Sequence, residues 1–283
     1  MESAYLNTML VTGERFKFRR GTLFAMIEPP KDQKTIKSLE KAFNILEYLK
    51  KSGGASMNEV ANEFNVANST AYLHLRTMMK RGYITEQDGN YRVGVKFLDL
   101  GSFARQNYDF QNLISDKVRD LSEETGELTE FSVMENGKLF IIQQEFGNNA
   151  VRINSRIGKE LHMHRTAAGK VILAKIPESM VDQIIDYHGL PKATENTTTD
   201  RAELFEELKS IRKKGLAENN EESIDGLWAM AMPVKMPGKK FYGAMSISGP
   251  IHRLRTESHK KELYQTLHGA VNELEINMEH SIN

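Results

Sequence analysis

At 283 residues, 40% hydrophobic and 27% charged, the chain is long enough for two domains with cores of their own, and its composition is that of an ordinary globular protein. It has no cysteine, which excludes disulfides, thiolate zinc sites and cysteine nucleophiles. Its 38 basic and 38 acidic residues cancel, but unevenly: residues 34–96 hold 10 basic and 6 acidic residues, whereas residues 97–283 hold 23 and 28. A mildly basic segment joined to an acidic one fits a polyanion reader attached to something that is not one.

Residues 1–33 show no period and run through Glu28-Pro29-Pro30; they read as a poorly ordered extension, with Met26 an alternative start. Arg15 to Arg20 is basic, but the apolar stretch Leu23 to Ile27 is too short for a secretory signal. No apolar run approaches the ~20 residues of a membrane span. The expected location is cytoplasmic, with no membrane partner.

Residues 34–94 read as a winged helix-turn-helix. A first helix carries Leu39, Ala42, Phe43, Leu46 and Leu49 as its expected buried face. Ser56 and Glu59 form a capping box ahead of Met57, Val60, Ala61 and Phe64, which follow helical spacing. Asn65-Val66-Ala67 allows only a tight turn, and Asn68 is the expected N-cap of the next helix. That helix buries Ala71, Leu75 and Met78. At about 100° per residue its far face carries Ser69, Leu73, Arg76 and Lys80, flanked by Thr70 and Tyr72.

The N-terminal part of such a helix meets base edges, so Ser69, Thr70, Tyr72, Leu73 and Arg76 are the candidate base readers, Arg76 through a bidentate contact to guanine. Lys80 and Arg81 are candidate phosphate contacts. Gly82 closes the helix. Asp88-Gly89 then marks a hairpin, the wing, from which Arg92 reaches a phosphate. Double-stranded operator DNA is the expected partner.

Residues 95–111 form a linker helix, with Phe97, Leu98, Leu100, Gly101 and Ala104 expected to pack on one side and to contribute to a dimer interface. Residues 112–283 mix elements. Helices are expected over 113–125, 166–175, 179–188 and from Asp200 to Lys214, with a long terminal helix burying Leu263, Leu267, Ala270, Val271, Leu274 and Met278. Strands are expected over 128–134, 139–144, 151–155, 228–235 and 241–248. Strands flanked by helices imply an α+β sensor-like domain.

The catalytic motifs are missing. Gly169-Lys170 has His164 where a phosphate loop needs its first glycine, and neither a zinc-protease helix nor a nucleophile elbow is present. His162 and His164 alternate but lack an evident ligand cluster, so no metal, cofactor or catalytic residue is expected.

From this point the chain resembles the IclR family of transcriptional regulators, over Thr35 to Met278. The resemblance is carried by Leu100–Arg105, Leu161–Ala174, Thr194–Asp200, Lys213–Glu222, Gly226-Leu227 and Ser246–Pro250, in that order and spacing. It implies a winged helix-turn-helix followed by a GAF-like α/β effector-binding domain, and a homodimer or dimer of dimers whose operator binding is altered by a small organic acid or aromatic metabolite. The effector positions it implies are Ala150, Ile153, Leu161, Ala167, Ala168, Asn219, Leu227, Ala229, Ser246 and Ser248. Two departures from the family pattern stand out. Asn219 and Asn220 stand where relatives often carry carboxylates, which favours an acidic effector, and Leu73 stands where relatives often carry a polar residue. A C-terminal domain that only dimerises, or a small-molecule enzyme, is the alternative reading.

Overall fold

The computed structural model describes residues 34–238 and 242–282; the extension expected over 1–33 and residues 239–241, where the strand expected over 241–248 begins, lie outside them. The first unit comprises α1 (Lys37–Ser52), β1 (Ala55–Ser56), α2 (Met57–Glu63), α3 (Asn68–Lys80), β2 (Ile84–Gln87) and β3 (Asn90–Val93). Its core is Ile45, Leu49, Val60, Ala61, Ala71, Leu75, Met78 and Ile84. The wing has three strands, ordered β1-β3-β2, rather than the expected two. Gly54 permits the third: its φ of +136° lays the chain so close to β3 that a Cβ would stand 2.8 Å from Asn90 Oδ1.

Local signals act as expected where they are self-contained. The Ser56 hydroxyl accepts from Glu59 N–H at 3.3 Å, and the Glu59 carboxylate accepts from Ser56 N–H at 2.7 Å. Asp88 and Gly89 both have positive φ, the type I′ geometry that matches strand twist. At the end of α3, Tyr83 N–H donates to Met78 O and Gly82 N–H to Met79 O, with Gly82 at φ +78°. Asn68 corrects one expectation. Ala67 occupies the N-cap without a side-chain bond, and Asn68 instead donates from Nδ2 to Asn58 Oδ1, tying α3 to α2. The buried face of α1 is rotated from the expected one: Ile45 and Leu49 are inside, whereas Leu39 and Phe43 are exposed.

The linker helix α4 (Lys96–Gln106) buries nothing. Phe97 leans on Tyr83, but Leu98 is 72% and Phe103 65% exposed, so the expected packing side is uncovered within one chain.

The second unit is built on a six-stranded antiparallel sheet, ordered β6-β5-β4-β9-β8-β7. Its strands are β4 (Leu128–Glu135), β5 (Lys138–Phe146), β6 (Glu160–Leu161), β7 (Ala217–Asn220), β8 (Leu227–Lys235) and β9 (Tyr242–Pro250). Alternation sorts the faces. Phe131, Val133, Met230, Met232, Met245 and Ile247 pack under α5 (Gln111–Thr125) and α10 (Glu257–His280), the latter reached through the short α9 (Ile251–Leu254). The opposite face presents Ala229, Ala231 and Ala244 to α6 (Ala167–Leu173), with α7 (Glu178–His188) and α8 (Arg201–Lys214) outside it. This is an α+β architecture of helices on both faces of one sheet.

Two differences from expectation bear on the site. β7 is a strand although two of its four residues are asparagines, because it pairs with β8 from Ala217↔Ala231 to Asn220↔Trp228. Residues 151–155 form no strand. The edge of β5 that they would join is taken by β6 and by Gly158 and Lys159, which bond to Ile141. The displaced segment arches over the sheet instead.

Candidate functional site

Two features of the fold are open to ligands. The first is the outer face of α3. Ser69, Tyr72, Leu73, Arg76 and Lys80 are exposed there, Thr70 is half-buried, and Arg81 and Arg92 are exposed nearby on the cap and the wing. The Arg76 guanidinium lies over the Tyr72 ring, 5.8 Å from its centroid. None of Arg76, Lys80, Arg81 or Arg92 has an acidic partner among the described residues. Cations left unneutralised on one face are what a phosphate backbone requires.

The second is a cavity of about 200 Å³ between the sheet and α6. It exists because the sheet is small on this side: Ala229, Ser246 and Ser248 sit on adjacent strands, with Ser248 paired to both Leu128 and Ala229. Ile153, Leu161, Ala167, Ala168, Asn219, Leu227, Ala229, Ser246 and Ser248 line it. Ala150 does not. It sits in the turn that Arg253 pins, through a 2.8 Å bond to Asn149 O, while the same guanidinium holds the buried Glu127 at 2.7–2.8 Å.

Sequence reasoning missed the polar and charged part of the lining: Glu130, Ser132, Ser155, Lys159, Glu160, Arg165, Thr166 and Ser223. Arg165 makes no side-chain hydrogen bond or ion pair among the described residues, and burial lowers its pKa. Lys159 bonds Asn154 O; burial, then the nearby Arg156, lowers its pKa. Glu130 accepts on a single oxygen, Oε1, from Gln144 at 2.8 Å and from Ser155. Burial raises its pKa, opposed by those two bonds and by Lys159. Asn219 differs from the expected role. Its Nδ2 donates to Arg165 O (2.7 Å) and Ser223 Oγ (2.9 Å), and its Oδ1 accepts from Glu222 N–H. The amide holds the cavity rim together and has no N–H left for a ligand.

The chain matches two family models: the IclR helix-turn-helix domain over residues 38–88 and the bacterial transcriptional regulator IclR C-terminal domain over residues 103–276. The chain belongs to the IclR family of transcriptional regulators. Its relatives include the transcriptional repressor IclR of Escherichia coli, 30% identical over 224 residues, covering 77% of this chain and 82% of that one. The regulator KdgR of Dickeya chrysanthemi is 30% identical over 251 residues, covering 88% and 82%. The crystal structure of Thermotoga maritima IclR superposes with a TM-score of 0.70 at 28% identity, covering 86% of this chain and 99% of that one. These relatives are regulators rather than enzymes. Among the described residues no helix is long and apolar enough to cross a membrane.

Of the two alternating histidines, the second is held inside the fold. His164 is buried, and its Nε2 lies 3.2 Å from Pro191 O. Burial pushes its pKa down to about 4. A histidine whose folded pKa lies below its unfolded one contributes stability that is complete above about pH 6.5 and is lost as pH falls toward about 4, because the unfolded chain takes the proton first. Denaturant titrations should therefore show about 2 kcal/mol less stability near pH 5 than near pH 7 from this residue. His164→Gln should flatten that slope, and an unchanged slope would reject the assignment.

Proposed function

We propose that this chain is an effector-responsive operator-binding regulator. In this reading α3 enters the major groove, Arg76 and its neighbours read bases, and Lys80, Arg81 and Arg92 hold phosphates. A small acidic metabolite occupies the cavity under α6. The observation that carries the effector half is Arg165, a cation that lines the cavity and has no side-chain partner among the described residues. A carboxylate placed there would neutralise a charge that the fold leaves uncompensated. A structural neighbour from Microbacterium hydrocarbonoxydans, 18% identical with a TM-score of 0.71, was crystallised with 4-hydroxybenzoate, which supports a carboxylate ligand for this fold.

Domains in this reading are a winged helix-turn-helix over 34–94, a linker over 95–111 and an effector domain from 112. The effector binds DNA-competent and DNA-incompetent arrangements of two protomers unequally, or nothing shifts. Selection of bound fragments from a random duplex pool should give a defined sequence. Arg76→Ala should then cost about 1–3 kcal/mol on that sequence and relax preference at one position, whereas Lys80→Ala should weaken all duplexes alike. Equal binding of every duplex by the unaltered protein would defeat the regulator reading.

A further inference from the structure

The cavity is divided by charge. Lys159 and Arg165 supply the cations, and two carboxylates share the lining: Glu160, paired with Lys138 at 2.7 Å, and Glu130. Glu130 receives both of its hydrogen bonds on Oε1, so Oε2 has no donor among the described residues. The hydroxyls of Ser132, Ser246 and Ser248 also make no hydrogen bond, although these residues are 1%, 6% and 5% exposed. They are not sealed in the core either, since all three line the cavity. The buried polar atoms that are truly enclosed without a partner, Asn90 Oδ1 and Thr129 Oγ1, belong elsewhere.

Buried polar groups are almost always paired. Here one carboxylate oxygen and three hydroxyls on β4 and β9 await partners across a single space. A plain fatty acid satisfies the cations and leaves Oε2 and the serines bare. A dicarboxylate sets a second negative charge against Glu130. A flat aromatic acid finds no ring to stack on, because no aromatic side chain among the described residues lines the cavity. The space, about 200 Å³, suits a compact small molecule.

Resting on the effector reading above, we propose that the ligand is a hydroxylated aliphatic carboxylic acid of the sugar-acid type. Its carboxylate meets Arg165 and Lys159, one hydroxyl donates to Glu130 Oε2, and others exchange bonds with Ser132, Ser246 and Ser248. Glu130 is then the residue that selects hydroxylated acids over bare ones.

Titration calorimetry of the full chain with gluconate, galactonate, hexanoate, adipate, ε-aminocaproate and 4-hydroxybenzoate tests this. At least one hexonate should bind about tenfold to a hundredfold more tightly than hexanoate and adipate, the range expected of a hydrogen bond to a charged acceptor. Glu130→Gln turns the free acceptor into a donor and removes the charge. It should bring hexonate and hexanoate to within about threefold of each other, while Arg165→Ala should weaken both.

Hexanoate or adipate binding as tightly as the hexonates would overturn the proposal and leave the acidic-effector reading standing. Preference for ε-aminocaproate, which would indicate an ammonium on Glu130, or for 4-hydroxybenzoate would do the same. No acid binding, with Arg165→Ala silent, would remove both. The ranking of acids on the unaltered protein decides the matter even if Glu130→Gln does not fold.

Discussion

Replacing Lys170 with methionine should destabilise the C-terminal unit by about 3–5 kcal/mol, the usual cost of leaving a buried charge without its counter-ion. Lys170 is fully buried in α6, and its Nζ donates to Glu207 Oε1 at 2.6 Å and to both oxygens of Glu222 at 2.7 Å. Glu207 lies on α8 and Glu222 in the β7–β8 loop, so one ammonium ties together three segments around the cavity. Glu222 also accepts from Asn220 N–H and donates its own N–H to Asn219. Burial raises its pKa against the pull of Lys170, and removing Lys170 raises it further.

The pH dependence gives that variant a signature. A carboxyl whose folded pKa is raised contributes stability that is fully present below its unfolded pKa and is lost as pH rises through the folded one. The deficit of Lys170→Met should therefore shrink as pH is lowered and Glu222, its pKa raised by burial, takes up a proton. Adding Glu222→Leu to Lys170→Met should recover much of the loss at neutral pH, since an apolar replacement of both charges is often near neutral. Urea unfolding of the three proteins at two pH values measures this. A single-variant loss under about 1 kcal/mol, or a deficit that grows on acidification, would refute the account.

What the sequence disclosed divides along one physical line. Features set by residues within a turn of each other were legible: the Ser56–Glu59 box, the type I′ turn at Asp88-Gly89, the Asp200 cap that accepts from Glu203 N–H at 2.9 Å, and the outer face of α3. Features set by long-range company were not. Residues 151–155 alternate like a strand, but the edge beside β5 was already filled. Glu130 alternates correctly on β4 yet reads as an ordinary surface glutamate until β9, β5 and the 151–155 arch close around it. Asn219 looked like a donor for an anion, and only the fold reveals that Arg165 O and Ser223 have claimed both its N–H groups. The nine of ten effector positions that line the cavity came from resemblance to relatives; the cations and carboxylates beside them are brought there only by the fold.

The exposed apolar residues of α1 and α4 set the last expected result. Ile36, Leu39 and Phe43 recur at helical spacing on one side of the first helix, and Val95, Leu98 and Phe103 stand out from the start and body of the linker helix, all well exposed. Surfaces of this kind on a protein of ordinary composition mark association. In the operator-binding reading proposed above, the α3 helix of one protomer would span only a half-site, and two protomers related by a two-fold axis would reach successive major grooves. Leu98→Glu with Phe103→Glu should therefore shift the protein toward monomer in sedimentation velocity, with little change in fold because neither side chain is in a core. Operator affinity at fixed salt should drop by a hundredfold or so, since joining two half-site contacts in one molecule commonly gains that much without any new contact. Should the doubly substituted protein stay dimeric, the interface lies elsewhere. If it becomes monomeric and still binds the operator undiminished, each wing reads DNA alone and coupling between protomers cannot be how the cavity controls binding.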